Sequence, residues 1–129
     1  MDNTLWEAGQ LVVAPYKSGM YVGELVSVDG HRAKVRTLAV LKHPTQGDLH
    51  HPMQADVPFF HQRRALAYRE VANVPVGLLK PWDGETAPDY TSSLREALAK
   101  ETEACEAMNT PFGQRCAAEL RELAKDYFT

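Results

Sequence analysis

The sequence lacks the features that would place the chain in a membrane or in an oxidising compartment. It contains no run of about 18 apolar residues, the length that a transmembrane helix needs. The first ten residues have neither a basic segment nor an apolar core, so we expect no secretory signal. Only two cysteines are present, Cys105 and Cys116, and their spacing matches no metal or redox motif. We therefore expect a reducing, cytoplasmic environment.

An excess of positive charge and a catalytic motif are also missing. The 14 basic and 17 acidic residues give a net charge of −3, whereas nucleic-acid binding needs a concentrated basic surface. We find no glycine-rich phosphate loop and no nucleophile motif. Nothing in the sequence brings His43 and Asp48, or His61 and Asp56, together as an acid–base pair. We therefore expect a non-enzymatic protein with no cofactor and no nucleic-acid partner.

Short runs rich in β-branched residues occupy the first part of the chain. The loop that contains Gly19 and the Asp29-Gly30 turn predict that the first three runs form an antiparallel meander. Five short strands can bury a core by curling into a small barrel, and we predict an SH3-like barrel over residues 1–84. Gly23 would permit a bend or a close backbone approach. The five predicted strands span residues 10–16, 20–28, 33–42, 65–71 and 76–79.

The remaining residues, 85–129, predict a connector and an antiparallel helical hairpin, which makes the fold mainly β with a C-terminal α part (α+β). Residues 83–129 hold five basic and ten acidic side chains, and apolar residues recur there every three or four positions. A residue in the range 91–93 is expected to cap the first helix. Thr110 and Pro111 are expected to begin the second helix.

The apolar stripe of the second predicted helix needs a partner, because two helices alone bury little surface. This stripe contains Leu120, Leu123 and Tyr127. We expect it to dock on the barrel or on another molecule. Homo-oligomerisation through the C-terminal helices is therefore one of the alternatives.

The segment 43–63 is the least ordinary part of the sequence. It reads HPTQGDLHHPMQADVPFFHQR and contains three prolines, two phenylalanines and four of the five histidines. A connection of about 20 residues without periodicity is unusual in a compact domain and is commonly functional. Its apolar residues predict an ordered loop rather than a disordered one.

Two chemistries fit the side chains of this loop. His43, His50, His51 and His61 are able to bind metal, and a metal-binding module is an alternative, although no pair has a compact ligand spacing. Otherwise these histidines are expected to bond loop carbonyls or to be exposed. Arg63 and Arg64 beside aromatic residues could contact RNA, but the acidic helices would repel phosphates. Arginine and aromatic side chains together favour a protein–protein contact.

Residues 38–70 resemble the signature of the kinase-associated protein B family of endospore-forming Gram-positive bacteria. The matching string is LAVLKHPTQGDLHHPMQADVPFFHQRRALAYRE. A match of this length is far more specific than a short motif. The resemblance extends to Tyr16–Gly19, Tyr21–Glu24, Asn73–Pro75, Leu79–Pro81, Tyr90, Ser93–Arg95 and Lys125–Phe128.

The resemblance implies a non-enzymatic accessory protein with an SH3-like barrel. Family members are associated with the activation of a membrane sensor histidine kinase that feeds the sporulation phosphorelay. The family is also called a lipoprotein, but this sequence has no lipobox and no cysteine before Cys105. We expect any proximity to the inner face of the cell membrane to come through the kinase.

The loop is the predicted surface for this partner. Its prolines restrict the unfolded chain, so that less order would have to be imposed on binding. The predicted partner-binding residues are Gln46, Asp48, His50, Gln54, Asp56, His61, Arg63 and Arg64.

Overall fold

The computed structural model describes residues 6–47, 55 and 60–129. In this part of the chain five strands precede two helices, which confirms the predicted α+β class. The elements are β1 (Leu11–Tyr16), β2 (Gly19–Asp29), β3 (Arg32–Lys42), β4 (Val71–Pro75), a short 3-10 turn (Val76–Leu78), β5 (Lys80–Pro81), α1 (Tyr90–Ala107) and α2 (Pro111–Tyr127).

The first three strands form the predicted antiparallel meander, with one shift at the second turn. Asp29 pairs with Arg32, so Gly30 and His31 occupy the centre of the turn, one residue later than predicted. Gly30 has a φ of +62°, whereas His31 is not among the residues with positive φ. A positive φ at the first central position alone is the requirement of a type II′ turn, not of a type I′ turn.

Gly23 in β2 allows the close approach that the sequence predicts. A Cβ atom at this position would lie 2.7 Å from the carbonyl oxygen of Arg36 and would also collide with the Val35 side chain. The pairing of β2 with β3 shifts register between Val22 and Gly23. The glycine therefore lies at an irregularity where the two strands are unusually close.

The fourth and fifth strands were predicted at the wrong positions. Residues 65–70 do not form a strand, because three successive N–H groups donate to side chains instead of a neighbouring strand. The donors and acceptors are Ala65 to the Tyr127 hydroxyl (2.9 Å), Leu66 to the Tyr21 hydroxyl (3.2 Å) and Ala67 to the Glu70 carboxylate (2.8 Å). The fourth strand begins only at Val71, and residues 76–78 form a helical turn.

The sheet is curled but not closed, and in this respect it differs from the predicted SH3-like barrel. Its strand order is β4-β3-β2-β1-β5, and no ladder joins β4 to β5 within the described residues. In a flat sheet β1 and β4 would be about 14 Å apart, at about 4.8 Å per strand spacing. Here they approach each other directly, which shows the curvature. The edge strand β5 has two residues and, in the described part of the chain, pairs with β1 alone.

A buried apolar core fills the inner side of this curved sheet. Strands β1 to β4 all contribute to it, together with the turn that follows β4. Its fully or nearly fully buried members are Val12, Ala14, Leu25, Ala33, Val35, Ala72, Val74, Val76 and Leu79.

The two helix starts differ in how well they could be predicted. Thr110 caps α2 as expected, with its hydroxyl accepting from the Gly113 N–H at 3.0 Å. The cap of α1 is Asp89, which accepts from the Ser92 N–H at 2.9 Å, so the prediction of residues 91–93 was wrong. Ser93 instead accepts a hydrogen bond from the Val40 N–H at 2.9 Å and ties α1 to β3.

The helical hairpin packs on the sheet through α1. Tyr21, Val40, Ala65, Leu94 and Ala97 form the buried cluster between them. The stripe on α2 is already covered within the chain, since Leu120 is 0% and Leu123 1% exposed. These leucines are therefore not a free surface for homo-oligomerisation. None of the helices among the described residues is long and apolar enough to span a bilayer.

Candidate functional site

The loop between β3 and β4 rests on a fixed base, which we call the loop stem: residues 43–47 and 60–65. One arm of the stem continues β3, and the other arm returns toward β4. Both arms lie against α2, so the last helix of the chain determines where the loop leaves the fold. Asp48, His50, His51, Gln54 and Asp56 lie outside the described residues.

His43 anchors the first arm of the stem from a fully buried position. Its Nδ1 lies 3.0 Å from the Pro44 carbonyl oxygen, which can only accept, so Nδ1 carries the proton. Its Nε2 therefore accepts from the Tyr127 hydroxyl at 2.9 Å. The same hydroxyl accepts from the Ala65 N–H at 2.9 Å. One chain of hydrogen bonds thus runs from the second arm, through α2, to the first arm.

The protonation states of this chain follow from burial. Desolvation lowers the pKa of His43 from 6.5 to about 4, more than its bond to Pro44 raises it. Desolvation also raises the pKa of Tyr127, although the Ala65 N–H and the Arg64 charge oppose this. At neutral pH His43 is therefore neutral and Tyr127 keeps its hydroxyl proton, as the hydrogen-bond directions require.

Gln46 joins the two arms directly. Its Oε1 accepts from the Arg63 N–H at 2.9 Å, and its Nε2 donates to the carbonyl oxygens of Arg63 and Pro44 at 2.9 and 3.0 Å. The Gly47 N–H adds a bond to the His61 carbonyl oxygen at 3.0 Å. This pattern resembles a short strand pairing in which a side-chain amide replaces one backbone, and it closes the loop at its base.

Side chains of α2 hold the second arm from outside. Phe60 packs against Phe112 with ring centroids 6.0 Å apart, and the Arg115 guanidinium lies 4.6 Å from the Phe60 ring centre. Gln62 donates to Glu119 at 3.2 Å. The second arm is therefore attached to α2 by an aromatic contact, a cation–π contact and a hydrogen bond.

A groove, which we call the basic groove, lies beside the stem. It has a volume of about 460 Å³ and lies between the β1–β2 turn and the segment 62–67. Lys17, Arg63 and Arg64 line it, together with one carboxylate, Glu70. The other lining residues are Tyr16, Ser18, Tyr21, Pro44, Gln62, Ala65, Leu66 and Ala67.

The overall match to known proteins identifies the family. A family model described as kinase-associated protein B matches residues 16–128. The chain belongs to the kinase-associated protein B family. This confirms the resemblance seen in residues 38–70.

Two members of the kinase-associated protein B family are similar over nearly their whole length. The protein named kinase-associated lipoprotein B of Bacillus subtilis (strain 168) is 48% identical over 123 residues, or 95% of each chain. The crystal structure of kinase-associated protein B from Bacillus cereus has a TM-score of 0.83 and 40% sequence identity, and the match covers 96% of this chain and 99% of that one.

In this member of the kinase-associated protein B family, the structure separates the predicted site residues into two groups. Gln46 is 3% exposed and is fully used in closing the stem, so its side chain does not face a partner. Arg63 is half-buried, and His61 and Arg64 are exposed. These three stay predicted contacts, as do the four predicted residues outside the described part: Asp48, His50, Gln54 and Asp56.

The metal-binding alternative loses one of its four histidines. Both ring nitrogens of His43 are occupied by protein partners, and the ring is 0% exposed. The described residues hold no cluster of three or more His, Cys, Asp or Glu side chains suited to a metal ion. His50 and His51 lie outside these residues.

Two residues of the site, Tyr127 and Lys17, were not among the site residues predicted from the sequence. Tyr127 belongs to an apolar stripe, and nothing local shows that its hydroxyl bridges two segments far away in sequence. Lys17 lies in the two-residue β1–β2 turn, and only the folded chain places it opposite Arg63.

Proposed function

We propose that this protein is a non-enzymatic accessory protein that binds and activates a membrane sensor histidine kinase feeding the sporulation phosphorelay. The proposal is supported by membership of the kinase-associated protein B family and by the names of its relatives. The proposed place of action is the cytoplasmic side of the membrane, where the kinase would recruit the protein.

The observation that carries the proposal is the fixed loop stem. Two buried side chains of the first arm, His43 and Gln46, and the half-buried Tyr127 of α2 hold the two arms of the loop at their base. A surface ordered before binding loses less conformational entropy in the complex, which favours affinity. Activation requires that the protein binds the active state of the kinase more tightly than the inactive state.

The chemistry of the buried groups supports the non-enzymatic part of the proposal. The polar atoms of His43 and Tyr127 are hydrogen-bonded to each other and to backbone groups. Burial raises the pKa of Cys105, and it raises that of Cys116 to about 12, so both thiols are protonated and poorly nucleophilic at neutral pH.

The first test is affinity capture from sporulating cells with the protein as bait. The wild type is compared with the Asp48→Ala/His50→Ala double variant, which changes the loop beyond its stem. We expect a sensor histidine kinase with the wild type and a reduced yield with the variant. Equal yields from two folded proteins would show that these loop residues are not the interface. Stoichiometric metal in the purified protein would favour the metal-binding alternative.

The second test measures activation itself. The captured kinase is purified, and its autophosphorylation rate is measured with increasing amounts of the protein. We expect a saturable increase in rate. Binding without any change in rate would refute activation while leaving the association intact.

A further inference from the structure

We infer that the basic groove is the docking site for an acidic segment of the protein's partner. This inference rests on the proposed function, because it assigns the acidic segment to the kinase. The inference also goes beyond the proposed function, because the groove lies beside the loop and includes the β1–β2 turn. That turn is not part of the predicted partner-binding loop.

The charge of the groove differs in sign from the charge of the protein. The chain carries a net charge of −3, yet of the residues that the structure describes, three basic side chains and one carboxylate line this cavity. Lys17 and Arg63 form no ion pair within the described residues. The single carboxylate, Glu70, already accepts from the Ala67 N–H at 2.8 Å. Two uncompensated cations facing one concave surface are complementary to carboxylates of a partner.

The two cations are also held in place. Lys17 adopts a left-handed φ of +53° in the tight turn, and its ammonium lies 5.4 Å from the Tyr16 ring centre. The next residue, Ser18, accepts from the Thr45 N–H at 2.9 Å, which fixes the turn to the stem. Arg63 donates to the Gly47 carbonyl oxygen at 3.1 Å. The backbone that carries Lys17 and the guanidinium of Arg63 are therefore positioned before a partner arrives.

The third cation shows how a carboxylate is bound at the edge of this groove. Arg64 pairs with Asp126 of α2 at 2.9 Å, and both side chains are more than half exposed. An exposed pair of this kind contributes little stability, so a carboxylate of a partner can compete for the guanidinium. Removal of the Asp126 charge is therefore expected to strengthen binding of an acidic segment.

The test uses a hexaglutamate peptide and isotope-labelled protein observed by nuclear magnetic resonance. We expect peptide-induced shift changes confined to residues 16–18, 62–67 and 70, and none with hexaglutamine. The Lys17→Asn/Arg63→Gln variant should bind at least about tenfold more weakly, because ionic attraction at an interface depends on such charges. Asparagine is chosen at position 17 because it tolerates a positive φ. Asp126→Asn should bind more tightly than the wild type.

The matched control is Lys34→Gln/Lys80→Gln. It removes the same amount of charge from two exposed residues that do not line the groove. Equal weakening in this control would mean that only net charge attracts the peptide and would overturn the inference. Shift changes centred elsewhere, or no binding by the wild type, would overturn it as well. The single variant Lys17→Asn leaves the stem contacts intact. Weaker peptide binding by this variant therefore cannot be attributed to a folding defect caused by the change at Arg63.

A kinase-capture experiment distinguishes failure of the inference from failure of the proposed function. Loss of kinase capture with the groove variant, but not with the Lys34→Gln/Lys80→Gln control, would support the inference. Retained capture with the groove variant would overturn it and leave the proposed function standing. Capture of no kinase by the wild type would overturn the proposed function and the assignment to a kinase, while the peptide result would still decide the chemistry of the groove.

Discussion

Lowering the pH from 7 to 5 should destabilise the fold through one buried side chain, His43. The neutral ring donates from Nδ1 to Pro44 and accepts at Nε2 from Tyr127. Protonation of Nε2 would place a donor against the Tyr127 hydroxyl. The hydroxyl could then no longer donate its own proton to the ring. It would also place a positive charge in a position that water does not reach, since the residue is 0% exposed.

The size of the effect follows from the two pKa values. The pKa of His43 falls from 6.5 in the unfolded chain to about 4 in the folded protein. The unfolded state therefore binds the proton more tightly, and stability is lost as the pH falls below 6.5 and levels off below 4. The full loss is about 3 kcal/mol, and the part between pH 7 and pH 5 is about 2 kcal/mol.

Urea denaturation at pH 7, 6 and 5, followed by tryptophan fluorescence, measures this dependence. The His43→Gln variant is less stable at pH 7 but has no ring to protonate, so its decline should be smaller by about 2 kcal/mol. His31→Gln, in the exposed β2–β3 turn, controls for the loss of a histidine as such. The reasoning is refuted if wild type and His43→Gln lose the same free energy of unfolding between pH 7 and pH 5.

Three further predictions concern buried contacts. Tyr127→Phe leaves the Ala65 N–H without its acceptor and should lower the free energy of unfolding by about 1–3 kcal/mol in urea titrations. Unchanged stability would show that the hydroxyl does not hold the stem. Gly23→Ala places a methyl group 2.7 Å from the Arg36 carbonyl oxygen, and the strain should cost about 1–3 kcal/mol, measured by calorimetry. A melting temperature equal to that of the wild type would contradict the close approach. The Cys116 thiol, with a pKa raised to about 12, should react with a thiol reagent at pH 8 only at the rate of unfolding, so rapid labelling of native protein would contradict its burial.

The parts of the fold that were predictable are those determined by neighbouring residues. The meander of β1 to β3 follows from β-branched runs and turn glycines, and the start of α2 follows from Thr110 and Pro111. Residues 65–70 look like a strand locally. The N–H groups of Ala65 and Leu66 donate to tyrosine hydroxyls up to 62 residues away, which no local pattern reveals.

The candidate site divides in the same way. Composition drew attention to Arg63 and Arg64, two adjacent arginines near aromatic residues, and in the structure both line the basic groove. It gave no indication that Gln46 points inward, because an amide in a loop can serve a partner or the backbone equally well. The contribution of Lys17 depends on the sheet register that brings the β1–β2 turn to the stem.

The bond between His43 and Tyr127 spans 84 residues and has a consequence for the order in which the protein is made. During synthesis the N-terminal residues leave the ribosome first and begin to fold as they emerge. The β1–β3 meander can form early from contacts between adjacent strands, whereas the bonds of the loop stem to Tyr127 cannot form until α2 has been translated. We expect ribosome-bound chains arrested before α2 to contain the meander but not the completed loop stem. The surface proposed to reach the kinase would then be completed last, so that a nascent chain could not engage the partner prematurely.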